Sequence, residues 1–381
     1  MLKIITSIQP DGSQAVDKLL LWSVFVLSAI GVVAVYSAIS FLADTRANGN
    51  TERFLVQHVL RVVFALGVMG VFSIINYHVL ARFARLVLFL SLGLLVLVQV
   101  TGVVTGGAAR WLDIGIIGFQ PSDLAKVALV LYVAVLLTAK QGYITSFTHA
   151  FLPIFFWILL TVALIGIDDL STAALVLMSV LVMCFVARVP VVHIVAVGLV
   201  GVLLGYALLL TSPARAARVE AYTGMKLFPH TEEQNVFSSQ GERYQVEQSK
   251  MAVAAGGLFG VGPGKSTQRD FLPAPYNDFI FAIVTEEYGL VGAFLLLGLF
   301  VLILFRGLFR VARHAPDPLG LFLALGLVVM LTLYAFVHVG VSVEVFPVTG
   351  LPLPFVSWGG TSMAAGGMMM GILLNISRHI E

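Results

Sequence analysis

The chain has 381 residues, 59% of them hydrophobic and only 11% charged, with a formal net charge of +2 and a mean hydropathy of +1.00. A soluble globular domain carries about 25% charged residues, so a water-facing surface is excluded for much of this chain and lipid must be its solvent. The near-zero net charge offers no basic footprint for nucleic acid.

A membrane-crossing helix needs about 20 mostly apolar residues. Runs of that kind predict spans near 19–42, 54–75, 83–104, 122–138, 150–166, 171–187, 191–211, 279–304, 319–343 and 362–376. The expected fold is an all-α integral membrane protein: one domain over residues 1–381, a polytopic bundle of about ten transmembrane helices, preceded by a tail at 1–18. The first run exceeds the apolar core of a cleaved signal and reads as a retained span. Gly166-Ile-Asp-Asp-Leu170 separates the fifth run from the sixth and suits a tight helical hairpin.

Orientation follows from Lys and Arg in the short connections. One side collects Lys3, Lys18, Arg82, Arg85, Lys140, Arg188, Arg306, Arg310, Arg313 and Arg378, the other only Arg46, Arg53 and Arg110. Both termini are therefore expected inside, and residues 212–277 form a large extracytoplasmic loop between the seventh and eighth spans. The loop is rich in charge, including Arg215, Arg218, Glu242, Lys250, Lys265, Arg269 and Asp270. Gln240 to Ala255 predicts a short helix stopped by Gly256-Gly257, and Gly260-Val-Gly-Pro-Gly264 predicts a constrained loop. No internal repeat is evident, which weakens an inverted-repeat transporter.

Several chemistries are excluded. Cys184 stands alone in an apolar run, so it forms neither an intrachain disulfide nor a thiolate metal site. The histidines are scattered. Gly264-Lys265-Ser266 has the end of a nucleotide-binding P-loop, but Phe259 occupies the position where the pattern needs glycine. No metal ligand set is visible and no cofactor is implied. Asp278 by itself leaves a divalent cation open.

The charged residues next to or inside the apolar runs are the site candidates. Asp278 lies where the long loop meets the eighth span. A carboxylate at that depth is partly desolvated, which suits a general base, and aspartate is also a favoured helix N-cap. Asp123 and Lys126, three residues apart, share a helix face and read as an ion pair lining a central cavity or as a purely structural bridge. His58 and Arg61 form a similar, weaker couple on the second span. Glu286 and Glu287 point about 100° apart on a helix, so they should have different partners, one of them a buried Arg or Lys. Asp169 caps the sixth helix or touches a ligand.

Four blocks then carry a family resemblance. They are Ala109-Arg-Trp-Leu-Asp-Ile-Gly with Phe119-Gln-Pro-Ser-Asp-Leu-Ala-Lys126; Asp169-Leu-Ser-Thr-Ala173; Gly262-Pro-Gly-Lys-Ser-Thr-Gln-Arg-Asp-Phe-Leu-Pro-Ala-Pro-Tyr-Asn-Asp-Phe-Ile-Phe-Ala282 running on to Gly292; and Pro347-Val-Thr-Gly-Leu-Pro-Leu-Pro-Phe-Val-Ser-Trp-Gly-Gly-Thr-Ser362. In order and spacing they resemble the SEDS cell-wall polymerases, FtsW in division and RodA in elongation. The compact glycine spacing before Gln268 is more FtsW-like, while Pro347-Val-Thr-Gly350 also occurs in RodA.

The resemblance implies a peptidoglycan glycosyltransferase in the bacterial cytoplasmic membrane. Such an enzyme polymerises lipid II, an undecaprenyl-pyrophosphate disaccharide-pentapeptide, on the extracytoplasmic side. The family's catalytic aspartate falls on Asp278. Residues implied to hold substrate are Lys265, Arg269, Arg110, Arg218 and Lys250 for the pyrophosphate, together with Asp123, Lys126, Asp169 and Arg61. Relatives often carry a glutamate where this chain has Ala274, so a mechanism that needs it does not transfer. A lipid II flippase is the alternative. The implied partner is a class B penicillin-binding protein transpeptidase, among other divisome or elongasome membrane proteins. Gly320, Ala324 and Gly326 of the ninth span offer a small-residue face for helix packing with it.

Overall fold

The computed structural model describes residues 15–46, 51–105, 108–113, 118–225 and 232–380. The chain forms α1 (Lys18–Arg46), α2 (Thr51–Ile74) and α3 (Tyr77–Thr101), a small sheet of β1 (Val103–Thr105), β2 (Ala108–Asp113) and β3 (Gly118–Phe119), then α4 (Pro121–Lys140), α5 (Leu152–Asp168), α6 (Leu170–Val186) and α7 (Val191–Leu210). Two polar helices follow, α8 (Pro213–Thr223) and α9 (Glu232–Gly256), before α10 (Ile280–Arg306), α11 (Pro318–Ser342) and α12 (Thr361–Ser377). Eight helices are long and apolar enough to cross a membrane; α6 and α12 are apolar but only 17 residues long. The chain is a multi-pass, mostly helical membrane protein, and every run expected to span forms an apolar helix.

Local chemistry fixes the helix ends. Asn76 and Asp317 cap α3 and α11, accepting from His78 N at 2.9 Å and Gly320 N at 2.6 Å, which satisfies orphan amides of each first turn. Asp169 does the same for α6 through Thr172 N at 3.0 Å. Pro318 follows the cap of α11, where its missing N–H costs nothing.

Helix α4 and α11 form the buried centre of the bundle, with α12, α10 and α6 around them. Small residues set the closest approaches, as van der Waals packing in lipid favours. A Cβ on Gly367 of α12 would stand 2.3 Å from Ala65 O of α2, and one on Gly326 of α11 would stand 2.7 Å from Val130 of α4. The face of Gly320, Ala324 and Gly326 is therefore already used inside the bundle, where all three are buried. This corrects the expectation that it receives a partner, because a small-residue face serves an internal neighbour as readily as an external one. Helix α7 is the opposite case: Val197 is its one buried residue, so its apolar surface faces outward.

The predicted short helix at Gln240–Ala255 is the last part of the longer α9. Helix α8 and the antiparallel sheet, in which Val103 pairs with Trp111 and Leu112 with Phe119, are elements that hydropathy did not indicate. The glycine-rich segment is constrained as expected: Gly257, Gly260, Gly262 and Gly264 all take positive φ.

Candidate functional site

A cavity of about 400 Å³ opens where the long loop meets the bundle. Its walls come from seven places: Trp111 and Gln120 before α4, Asp123 on α4, Asp169 and Thr172 on α6, Arg218 on α8 with Glu242 and Gln245 on α9, Asn277 and Asp278 before α10, Tyr334 on α11, and the segment Val348–Ser362. A cavity with this many charged walls inside a chain of 11% charged residues is the place where chemistry can occur.

Asp278 is brought to the cavity by the segment that enters α10. Its backbone N–H donates to Ala274 O at 3.2 Å, a turn that redirects the chain. Asn277 O accepts from Ser357 Oγ at 2.8 Å, and Tyr276 O accepts from Trp358 N at 2.9 Å. The segment is thus stitched to the loop before α12, which forms the opposite wall. The N-cap position of α10 is Phe279, without a side-chain cap bond, so Asp278 stands one residue before the cap position. No side chain here is a second carboxylate at position 274, which is Ala274.

Asp123 and Lys126 form the expected pair, Nζ to Oδ1 at 2.6 Å, both buried. The second Asp123 oxygen accepts from Thr361 Oγ1 at 2.7 Å, and the Lys126 ammonium lies 4.5 Å from the centre of the Tyr334 ring. Asp123 and Tyr334 line the cavity; Lys126 stands behind them. Asp169 takes the expected capping role. Its carboxylate caps α6 and accepts from Thr172 Oγ1 at 2.9 Å, and it lines the cavity as well.

Of the basic residues, Arg218 is the one whose side chain lines this cavity among those described. Its Nε donates to Glu242 Oε1 at 2.8 Å. Burial pushes the Glu242 carboxyl above its usual range, and the Arg218 guanidinium offsets that only in part. The guanidinium is held at the wall by its bond to Glu242. Arg61 reaches the cavity indirectly, its guanidinium 4.3 Å from the centre of the Trp358 ring, against which His58 also stacks.

The remaining candidates lie apart. Lys265 is exposed on the glycine-rich loop. Arg269 points to α1, where Nη1 donates to Ser37 O at 3.2 Å. Lys250 pairs with Glu344 on an exposed surface. Arg110 belongs to β2, but its side chain lies outside the described residues. Glu286 and Glu287 do have different partners, as their angular separation requires. Neither is a lysine or arginine: Glu286 receives the Ser266–Gln268 loop and Glu287 receives Ser37 Oγ. Sequence reasoning missed Glu242, Gln245, Tyr334 and Trp358 as cavity walls. Trp358 stood inside a singled-out block; nothing local marked the others.

Known proteins match the chain over its length. The family model of the FtsW/RodA/SpoVE cell cycle proteins matches residues 18–381. The chain is 36% identical to stage V sporulation protein E of Bacillus subtilis over 95% of itself and 97% of that protein. It is 34% identical to the "Probable peptidoglycan glycosyltransferase FtsW" of Trichlorobacter lovleyi over 100% of itself and 97% of that protein. Among solved structures, a chain of a peptidoglycan synthase complex that coordinates polymerization and crosslinking superposes with TM-score 0.75 at 28% identity, covering 96% of this chain and 98% of the other. The rod shape determining protein RodA of Thermus thermophilus superposes with TM-score 0.68 at 27% identity, covering 96% and 97%.

Proposed function

The chain belongs to the FtsW/RodA/SpoVE family of cell cycle proteins, and from that premise we propose that it is a lipid II polymerase with Asp278 as its general base. The relatives found by sequence carry the FtsW and sporulation names, so the reading is a peptidoglycan glycosyltransferase of the FtsW type, acting in division. The observation that carries the site assignment is the meeting of Asp278 and Arg218 on one cavity wall system.

The reaction joins an acceptor sugar hydroxyl to the anomeric carbon of a donor held by a lipid pyrophosphate. The hydroxyl oxygen forms the new bond as the bond from that carbon to the pyrophosphate oxygen breaks, with inversion. Asp278 takes the hydroxyl proton. The electron pair leaves on the pyrophosphate, whose charge the Arg218 guanidinium at the cavity wall is placed to receive. Asp123, held by Lys126 and Thr361, and Asp169, held by Thr172, present fixed acceptors for sugar hydroxyls. The cavity faces the extracytoplasmic side of the cytoplasmic membrane, where the lipid headgroup lies. A flippase would not need a base fixed beside the acceptor.

A class B penicillin-binding protein is the partner in this reading; the structural likeness to a chain of a peptidoglycan synthase complex supports it. Purified protein given lipid II alone, with and without that transpeptidase, should form long glycan strands resolvable on a gel. Translocation of lipid II across vesicles without any polymer, under both conditions, would favour the flippase.

A further inference from the structure

Asp278 ends a long irregular segment, and something must hold that segment still. The glycine-rich stretch before it is fastened to α10 by backbone bonds that a regular helix could not make. Val261 N donates to Glu286 O at 2.9 Å and Gly262 N to Glu287 O at 3.0 Å, while Leu290 N and Val291 N donate to Gly257 O and Leu258 O at 2.9 and 3.2 Å. Gly289, at φ 67° and ψ −166°, breaks α10 to free these groups. Only glycine fits at the crossing: a Cβ on Gly260 would lie 2.1 Å from Glu287 O, and one on Gly256 would lie 2.0 Å from Thr285 O.

Glu286 sits at this break, 1% exposed. Its carboxylate is not paired with a cation. It collects four donors from one turn of the loop: Ser266 Oγ at 2.5 Å, Thr267 N and Oγ1 each at 3.0 Å, and Gln268 N at 3.4 Å. Ser266 Oγ in turn accepts from Arg269 N at 3.2 Å. The neighbouring Glu287 accepts from Ser37 Oγ, and Ser37 O and Oγ accept from Arg269 Nη1 at 3.2 and 3.3 Å. Two consecutive glutamates on different faces of α10 thus grip the same short stretch, one directly and one through α1. A carboxylate that accepts several bonds at once fixes direction as well as distance, and a buried acceptor that loses them is costly.

We propose that Glu286 is a positioning residue for the polymerase reaction: it anchors the turn Ser266–Gln268 so that the segment running on to Asp278 holds the base against the cavity. This rests on the reading of Asp278 given above. Glu286 lies about 9 Å along the axis from the start of α10, too deep to touch substrate itself, and it lines none of the described cavity walls. Its role is to make the loop an extension of the rigid helix, since reacting groups misplaced by about 1 Å cost on the order of a hundredfold in rate.

The test uses the full-length protein with its transpeptidase and lipid II, comparing Glu286→Gln, Ser266→Ala, the two combined, and Asp278→Asn. Glutamine keeps the size but offers one acceptor oxygen and turns an amide against the donors. Glu286→Gln should lower kcat on the order of a hundredfold with the KM for lipid II nearly unchanged. Amide hydrogen exchange should accelerate at least about tenfold across residues 262–278 while α11 keeps its protection. The combined variant should lose little more than Glu286→Gln alone, because both remove one anchor. Asp278→Asn should lower turnover on the order of a hundredfold or more without changing exchange in the loop. Normal kcat in Glu286→Gln, equal acceleration of exchange in α11, or full additivity with Ser266→Ala would each overturn the anchor. Normal turnover in Asp278→Asn would instead overturn the general-base assignment, leaving the anchor to be judged by its own paired kcat and exchange data.

Discussion

Removing one member of the Asp123–Lys126 pair should be more harmful than removing both, and the two single losses should differ. The contact is 2.6 Å between groups that are 3% and 8% exposed. Breaking a buried pair from one side strands a charge and costs about 3–5 kcal/mol. In Asp123→Asn the stranded group is Lys126, whose remaining neighbour is the Tyr334 ring face, a contact worth about 0.5–2 kcal/mol. That places Asp123→Asn near the upper end. In Lys126→Met the stranded carboxylate still accepts from Thr361 and faces a cavity open to water, so its loss should fall nearer the 1.5–3 kcal/mol typical of a hydrogen bond to a charged group, about half as much. The double variant leaves no stranded charge at this pair and should recover at least about 1–3 kcal/mol relative to the sum. Thermal unfolding of purified protein in detergent, run as a full cycle, reads these differences, with polymerisation measured alongside. Stability should return in the double variant and turnover should not, because Asp123 lines the cavity. Strict additivity in unfolding would show that the two side chains do not interact, and the reasoning would fail.

The pyrophosphate assignment predicts an order among the cations. Arg218→Gln should raise the lipid II concentration needed for half-maximal polymerisation more than Lys265→Gln does, since only Arg218 lines the cavity; an equal or reversed order in titrations would move the leaving group to the glycine-rich loop. At the opposite end of the bundle, Asp317 accepts from His78 Nε2 at 2.6 Å, Tyr77 Oη at 3.1 Å and Gly320 N at 2.6 Å. Burial pushes its carboxyl upward, but these bonds together hold it below the usual aspartate range. A folded-state value below the unfolded one means that its stabilisation is present above the ordinary aspartate range and is lost as pH falls through the lowered value. Asp317→Asn should therefore lower the unfolding free energy at neutral pH, by about 1.5–3 kcal/mol, and the gap to wild type should close in acid; a gap independent of pH would contradict this.

The helices that cross the bundle were legible because lipid imposes length and apolarity on each, and the ten apolar helices follow the ten apolar runs. The Gly256-Gly257 stop and the constrained Gly260–Gly264 stretch were legible because positive φ selects glycine. Helix α8 and the β1–β3 sheet were not, since both are short, polar or mixed in character and held by tertiary contacts. The site divided in the same way. Asp278, Asp123, Lys126 and Asp169 stood out because a carboxylate or ammonium at the end of or within an apolar run demands a reason. Which loop cation reaches the cavity could not be read: Arg218, Lys265 and Arg269 are equally polar in sequence, and only the docking of α8 and α9 on the bundle turns Arg218 inward and leaves Arg269 against α1. Glu286 announced itself as a charge in a span, but its partners are hydroxyls and amides of a loop, chosen by a backbone break at Gly289 that hydropathy does not register.

The most direct test of Asp278 as general base is the rate of lipid II polymerisation by the Asp278→Asn protein with its transpeptidase, beside wild type at matched folding and membrane insertion. Asparagine is nearly isosteric and cannot take the acceptor proton, so the rate should fall on the order of a hundredfold or more while lipid II binding and the unfolding midpoint stay near wild type. Wild-type turnover by well-folded Asp278→Asn protein would contradict the assignment.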